Sequence, residues 1–319
     1  MEKVQFIEMC SEIAAGTRGS SLGPGAVKAA CFNAGGDLFS RVPLEQVADE
    51  NHRLWEDEEA EWAKRVSGLV AVYDRLSNRV GLELQRGERF PVVLSADHGS
   101  AGGTIAGVKK HFPNERLGVI WVDAHADLHS PWTSPSGNMH GMPLATAINT
   151  NNEECAARTP NDVAQKGWEQ LKNMGGMAPK IQPQDIVFIS VRSTEEPEEA
   201  LMSRHNIPNI STGKVREVGA AKTVEMALEY LSECDRIYVS FDVDSMDPSI
   251  SRGTGTPVEN GLTEQEANDI LCGLVRDPRV CCFEMVEVNP CLDDKINAMA
   301  ETAYRILNSV VHTLETRTP

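Results

Sequence analysis

The chain has 319 residues, 41% hydrophobic and 24% charged, with 47 acidic against 30 basic side chains and a net charge of −17. That composition belongs to an ordinary globular protein with enough apolar residues for a large core. The acidic balance disfavours nucleic acid and anionic membrane surfaces as partners and is compatible with a cationic substrate. The N-terminal MEKVQFIEMCSEIAAG has no basic region followed by a long apolar run, and no stretch reaches the roughly 18 apolar residues of a membrane span. Eight cysteines, with no CxxC pair, are expected to be reduced in a cytoplasmic protein. The adjacent Cys281 and Cys282 read as two small core residues.

The elements alternate along the chain. Residues 4–9 read as a strand. After a Gly- and Ser-rich loop, Pro24 is well placed to open a helix. Residues 44–80 have a charged helical pattern, with Leu69, Val72 and Leu76 on one face and the acidic run 56–61 on a solvated one. A short apolar strand, 90–94, runs into SADHGSAGGTIAGV, placing Asp97 and His98 at a strand end. The small residues that follow would let a helix approach the sheet. No GxGxxG and no P-loop lysine accompany these glycines.

The next strand, 117–122, ends in VDAHADLHSPWTSPSGNMHG. Asp123, His125 and Asp127 fall at alternate positions, with His129 at the next. A strand continued a little past its end would point the first three at one spot. Residues 140–148 look helical, and 149–185 read as a surface excursion with a short helix at 163–174. Strand 186–191 ends in RSTEEPEEA, and a further strand is possible at 207–211. An amphipathic helix covers 218–232, and strand 236–241 ends in DVDSMDPS. Thr263 with Glu266 forms a capping box opening the next helix. Strand 280–288 ends in EVNP, and a helix over 296–314 closes the chain. Apolar strands alternating with helices predict an α/β protein whose mainly parallel sheet is covered on both faces. Ligands in such folds bind at the carboxyl ends of the strands, where every candidate residue falls.

Three strand ends therefore offer His98, the trio Asp123, His125 and Asp127, and the pair Asp242 and Asp244. Four clustered carboxylates carry about −4 and would repel strongly without a counter-charge. Two divalent cations would neutralise them, and an oxygen and imidazole set suits manganese, with iron or cobalt as alternatives. Such a pair can hold and acidify a water molecule.

LGPGAVKAA, ADHGSAGGTIAG, WVDAHADLHSP, SPSGNMHGMPLA, VSFDVDSMDPS, GTGTPVENGLT and EVNP occur in the order found in the arginase (ureohydrolase) family. The chain resembles that family over nearly its whole length, its bacterial members most. The resemblance implies one catalytic domain over 1–319, a three-layer α/β/α fold, a dimanganese centre, and hydrolysis of a guanidino group to urea and an amine. It also implies a homo-oligomer, a trimer above all. One metal would be held by His98, Asp123, Asp127 and Asp242, the other by Asp123, His125, Asp242 and Asp244. Asp127 would accept a proton and pass it on, and His140 would shuttle one. Glu287 would pair with the guanidinium near Thr256, and Ser136 and Asn138 would bind the α-carboxylate.

The match departs from the family at three places. His129 stands where asparagine is usual, Glu195 (with Glu196 beside it) where an aspartate faces the α-amino group, and SADH where GGDH is usual. L-Arginine is the expected substrate. Agmatine, a guanidino acid or another arginine derivative are the alternatives, and an idle scaffold on the same fold is the reading from a different class.

Overall fold

The computed structural model describes residues 3–317. Eight strands form one sheet: β1 (Val4–Met9), β2 (Leu44–Val47), β3 (Phe90–Ser95), β4 (Leu117–Val122), β5 (Ile186–Ile189), β6 (Asn209–Ile210), β7 (Arg236–Asp242) and β8 (Val280–Val286). Their order is β2-β1-β3-β8-β7-β4-β5-β6, and every pairing is parallel. The helices are α1 (Gly23–Asn33), α2 (Leu38–Arg41), α3 (Val66–Arg86), α4 (Ala101–His111), α5 (Pro143–Ala147) and α6 (Asp162–Lys172). They continue with α7 (Glu196–His205), α8 (Thr212–Val218), α9 (Ala220–Tyr230), α10 (Glu264–Leu274) and α11 (Ala298–Thr316).

The central strands are buried except at the first residues of β3 and β7, because both sheet faces are covered. One core lies between the sheet and α1, α9, α10 and α11. A second lies between the sheet and α3 to α6. This is the three-layer α/β/α arrangement expected from the alternation. Among the described residues, no helix is long and apolar enough to cross a membrane.

The order brings β3, β8, β7 and β4 side by side. These four strands carry the residues singled out above. In the register, Val122 of β4 sits opposite Phe241 of β7, so Asp123 and Asp242 leave the sheet together. Asp242 in turn sits opposite Val286, the residue before Glu287.

Several local expectations are corrected. Residues 44–47 form an edge strand beside β1 rather than the start of a helix, and α3 begins only at Val66. Residues 56–61 carry no apolar stripe of helical period and lie in turns. The run is largely exposed, as expected, and two of its acids act at the α3 N-terminus, where Glu58 accepts from Arg65 N at 2.9 Å and Glu59 from Ser67 N at 2.7 Å. Carboxylates there satisfy free amides and oppose the positive end of the helix dipole. The small residues of α4 let it meet α3 as well as the sheet: a Cβ on Gly103 would sit 2.9 Å from Tyr73 Cα, and one on Gly107 2.7 Å from Ser77 O. The helix expected at 218–232 is present as α9, which starts at Ala220 because Gly219, with a φ of 82°, separates it from the preceding α8. At 140–148, α5 is confined to Pro143–Ala147. The last strand stops at Val286, because Glu287 turns to a φ of 68°. The Thr263–Glu266 capping box is present at α10. Cys281 and Cys282 are buried, and burial pushes the Cys281 thiol up to about 12, so neither offers a thiolate.

The segment 149–185 is more than solvated loop. Within it α6 packs on α3 and buries Trp168 and Leu171 completely. Trp168 Nε1 donates to Asn151 Oδ1 at 2.9 Å, and buried Lys180 Nζ donates to the carbonyls of Leu171 and Lys172, the last of α6. Trp168→Ala should cost about 3–5 kcal/mol by leaving a cavity, the range for deleting a buried aromatic side chain. Denaturant unfolding of the two proteins measures it, and a loss under 1 kcal/mol would show that the segment is not part of the packed core.

Candidate functional site

The site is assembled by strand ends that depart from regular geometry. Asp123 and Asp242 leave β4 and β7. His125 is held extended by a bridge to Ser193, and Asp127 then takes a φ of 50°. A positive φ at a non-glycine residue is held only by its surroundings. The next amide, Leu128 N, is anchored by the buried carboxyl of Glu198 at 3.1 Å. The straight alternation read from the sequence therefore holds to His125, and a turn, not a strand, aims Asp127.

Carboxylates and imidazoles converge as the sequence led us to expect. His98 Nδ1 lies 2.9 Å from Asp123 Oδ2, 3.2 Å from Asp127 Oδ2 and 3.2 Å from Asp242 Oδ2. His125 Nδ1 lies 3.1 Å from Asp244 Oδ2 and 3.5 Å from Asp123 Oδ1. Two metal-capable groups result, His98 with Asp123 and Asp127, and His125 with Asp123 and Asp244, sharing Asp123. Asp123, Asp242, Asp244 and His98 are all at least 97% buried.

A protein-only hydrogen-bond network does not account for this packing. One imidazole nitrogen carries at most one proton, yet three carboxylate oxygens crowd His98 Nδ1. Neither His98 Nδ1 nor Asp123 Oδ2 makes a hydrogen bond of normal geometry. Burial, then Asp244 and Asp123, push the Asp242 carboxyl well above its usual range. Burial opposes the charged form of His125, but Asp244 and Asp123 push it up to about 12. Oxygen and imidazole donors around two points that share a carboxylate suit a pair of divalent cations of the manganese, iron or cobalt kind. The ring of His98 is fixed by stacking on Trp121, centroids 4.0 Å apart, and by its Nε2, 2.7 Å from Ser240 Oγ. Such outer partners orient metal-ligating histidines.

A cleft of about 650 Å³, measured to its open mouth, lies over this cluster. It is lined by His98, His125, Asp127 and Asp242, and by His129, Ser136, Asn138, His140, Glu195 and Thr256. The structure thus gathers the candidates at one place, with two adjustments. Thr256 Oγ1 donates to Asp244 Oδ2 at 3.0 Å, so its hydroxyl is committed to the cluster. Glu287 stands behind the lining, where its Oε1 accepts from His98 N at 2.9 Å and lies 3.2 Å from His140 Nδ1.

Sequence reasoning passed over Glu198, Ser134 and Arg192. Glu198 and Ser134 line the cleft. Glu198 Oε2 also accepts from Glu195 N, closing a capping box at α7, so Glu195 is the helix N-cap. That box was legible in the spacing of the two glutamates. Burial pushes Glu198 up to about 8, and burial followed by Arg158 pushes His129 down to about 4. Both are thus neutral near pH 7, which agrees with their 3.5 Å separation, too long for a charged hydrogen bond. Asp97 Oδ2 accepts from Ala14 N at 2.9 Å and ties the β1 loop to His98. Arg192 donates to the carbonyls of Asp244, Ser245, Val258 and Glu259. Nothing in the local sequence of Arg192 announces that role.

An all-parallel α/β/α protein with a carboxylate–imidazole cluster under a cleft has the architecture of a binuclear metallohydrolase. The sequence matches the arginase family over residues 2–312. The arginase of Bacillus subtilis is 34% identical over 310 residues, 97% of each chain. A solved arginase from Bacillus caldovelox superposes with a TM-score of 0.80 at 32% identity, covering 98% of both chains. An Entamoeba histolytica arginase solved with L-ornithine gives 0.82 at 25% identity, again over 98% of both. The chain belongs to the arginase family and is a hydrolase.

Burial alone would lower the His140 ring, but the hydrogen bond with Glu287 pushes it up to about 8. Burial would raise Glu287, but His140 holds it below its usual value. A histidine raised in the fold stabilises it below the unfolded value of about 6.5, and the contribution is lost as pH rises through about 8. In protein freed of metal by chelation, histidine NMR should show one ring titrating near 8. In Glu287→Gln that ring should titrate below 6.5. An unchanged titration would mean that the pair does not set the ring's charge.

Proposed function

We propose that the chain is a manganese-dependent hydrolase of L-arginine, releasing urea and L-ornithine. The observation that carries this reading is the cluster of four aspartates and two histidines directly beneath the loop bearing Ser136, Asn138 and His140. His98, Asp123, Asp127 and Asp242 would hold one ion, and Asp123, His125, Asp242 and Asp244 the other. When bound, two such ions supply Lewis acidity that activates water near neutral pH.

The chain's own residues supply the rest. Asp127 faces the cleft from a held turn and is placed to accept a proton. His140, raised by Glu287, exchanges protons near neutral pH and would carry one to the departing amine. The second oxygen of Glu287 would offer an acceptor for guanidinium N–H groups. Ser136 and Asn138 would take the α-carboxylate and Glu195 the α-amino group. Their family counterparts support this reading, as does their place on the cleft wall. The acidic composition, the cysteine pattern and the family likewise support a cytoplasmic homo-oligomer, with a trimer favoured.

A second reading, hydrolysis of another guanidino compound such as agmatine, is favoured by one observation. His129 is buried and neutral where the carboxylate contact was expected, and its Nδ1 is 3.2 Å from Thr133 Oγ1. A urea-release assay with L-arginine and agmatine after loading with manganese separates the two. L-Arginine should be turned over with two ions bound per chain, and activity on agmatine alone would overturn the first reading. Absence of both bound metal and urea would favour an idle scaffold. His140→Asn should keep its metal and lose about 10²–10⁴ in kcat, the usual worth of a positioned proton carrier. A loss below threefold would remove His140 from the reaction.

A further inference from the structure

The loop that lines one wall of the cleft, 134–138, rests on a segment that the reaction does not use. Gly137 has a φ of 73°, and a Cβ there would lie 2.0 Å from Glu61 O and 2.9 Å from Trp62 Cα. The two backbones are thus in direct contact, and Lys64 N donates to Gly137 O at 3.0 Å. From the same residue, half-buried Lys64 Nζ donates to Asn138 Oδ1 at 3.1 Å. An ammonium group has only donors, so it selects the orientation of the amide: Oδ1 faces Lys64 and Nδ2 is turned away. Asn138 lines the cleft, and its Nδ2 lies against Gly16, where a Cβ would be 2.6 Å away.

A second cation stands nearby. The guanidinium of Arg158 lies 4.0 Å over the Trp62 ring, and its Nη1 is buried without a hydrogen-bond partner among the described residues. Its charge reaches His129, whose ring it helps to keep neutral. Among the described residues, neither Lys64 nor Arg158 has a carboxylate within 4.0 Å, in a chain with 47 acidic residues. The neighbouring Arg65, by contrast, pairs with Glu58. Across His129 stand Glu195 and Glu198, at 3.6 and 3.5 Å from its Nε2. The mouth of the cleft thus has Lys64 and Arg158 on the Asn138 side and the exposed carboxylate of Glu195 at the α7 N-terminus.

We infer that Lys64 is a positioning residue that makes the site select guanidino substrates bearing a carboxylate. It fixes the Asn138 amide by its Oδ1, so that Nδ2 is the edge left free for a ligand, and its ammonium, with no carboxylate within 4.0 Å among the described residues, stands behind that amide with Arg158 nearby. This deepens the proposed function and rests on it for the direction in which the substrate lies. A merely structural staple between 59–65 and 134–138 would affect all ligands alike.

The test compares substrates and products with and without the carboxylate. In Lys64→Met, kcat/KM for L-arginine should fall about tenfold or more, mainly through KM, the usual worth of a charge-assisted hydrogen bond. The value for agmatine should not follow, and Lys64→Arg should recover part of the loss. Calorimetric binding of L-ornithine against putrescine to the manganese-loaded protein gives a readout independent of turnover. The wild type should prefer L-ornithine, and Lys64→Met should lose that preference. Equal changes for both members of each pair, or no change, would overturn the inference. Absence of urea release with a Lys64-dependent preference for L-ornithine would overturn the proposed reaction and leave Lys64's role standing.

Discussion

Mutual repulsion among four carboxylates is the constraint on which the rest of this molecule depends. Asp123, Asp127, Asp242 and Asp244 meet at the rim of the sheet, almost out of reach of water. Like charges so placed raise one another's proton affinity and would drive the strand ends apart unless something holds them. The fold answers with rigidity. The four strands from β3 to β4 are packed on both faces, so Asp123 and Asp242 leave a surface that cannot yield. Two imidazoles enter the same space, one of them stacked flat on Trp121. A charge arrangement this costly in the absence of cations is the physical signature of a site built to hold them.

Around that cluster, buried polar groups do the holding. Asp97 ties the β1 loop, Glu198 anchors the turn at Asp127, and Arg192 gathers carbonyls from residue 190 and from the segments 244–246 and 258–259. None of these touches the expected reacting atoms. Each satisfies backbone groups that burial would leave unpaired, which costs about 1–3 kcal/mol per group when unmet. The positive φ values of Asp127 and Glu287 persist because these neighbours over-determine them.

The wall that faces the substrate follows a different logic. Its loop is polar and half-exposed, and it takes its shape from the 59–65 segment beneath it. There the acids of 56–61, which read in sequence as a solvated helix face, turn out to cap α3 and so bring Lys64 under Asn138. A departure at one site residue, His129, is accompanied by a charge distribution that lies outside every motif.

Much of the site was legible because metal ligands on strand ends leave local marks. Asp123 and His125 alternate as a strand requires, Asp242 and Asp244 repeat the spacing, and the SGNMHG loop is read directly from its residues. The layered fold was legible for the same reason, since apolar strands alternating with helices carry their periods in the sequence. Elements without such periods were misread. The β2 edge strand, four residues at the sheet margin, is too short to show alternation. By itself the sequence determined which side chains are capable of the chemistry and that they sit at strand ends. Only the tertiary structure decided that β3, β8, β7 and β4 are neighbours, that Glu287 holds His140, and that Lys64 stands behind Asn138. Those contacts join residues as far apart in the chain as Val92 and Phe283, and pairing over such separations is set by how the whole chain packs rather than by any local pattern.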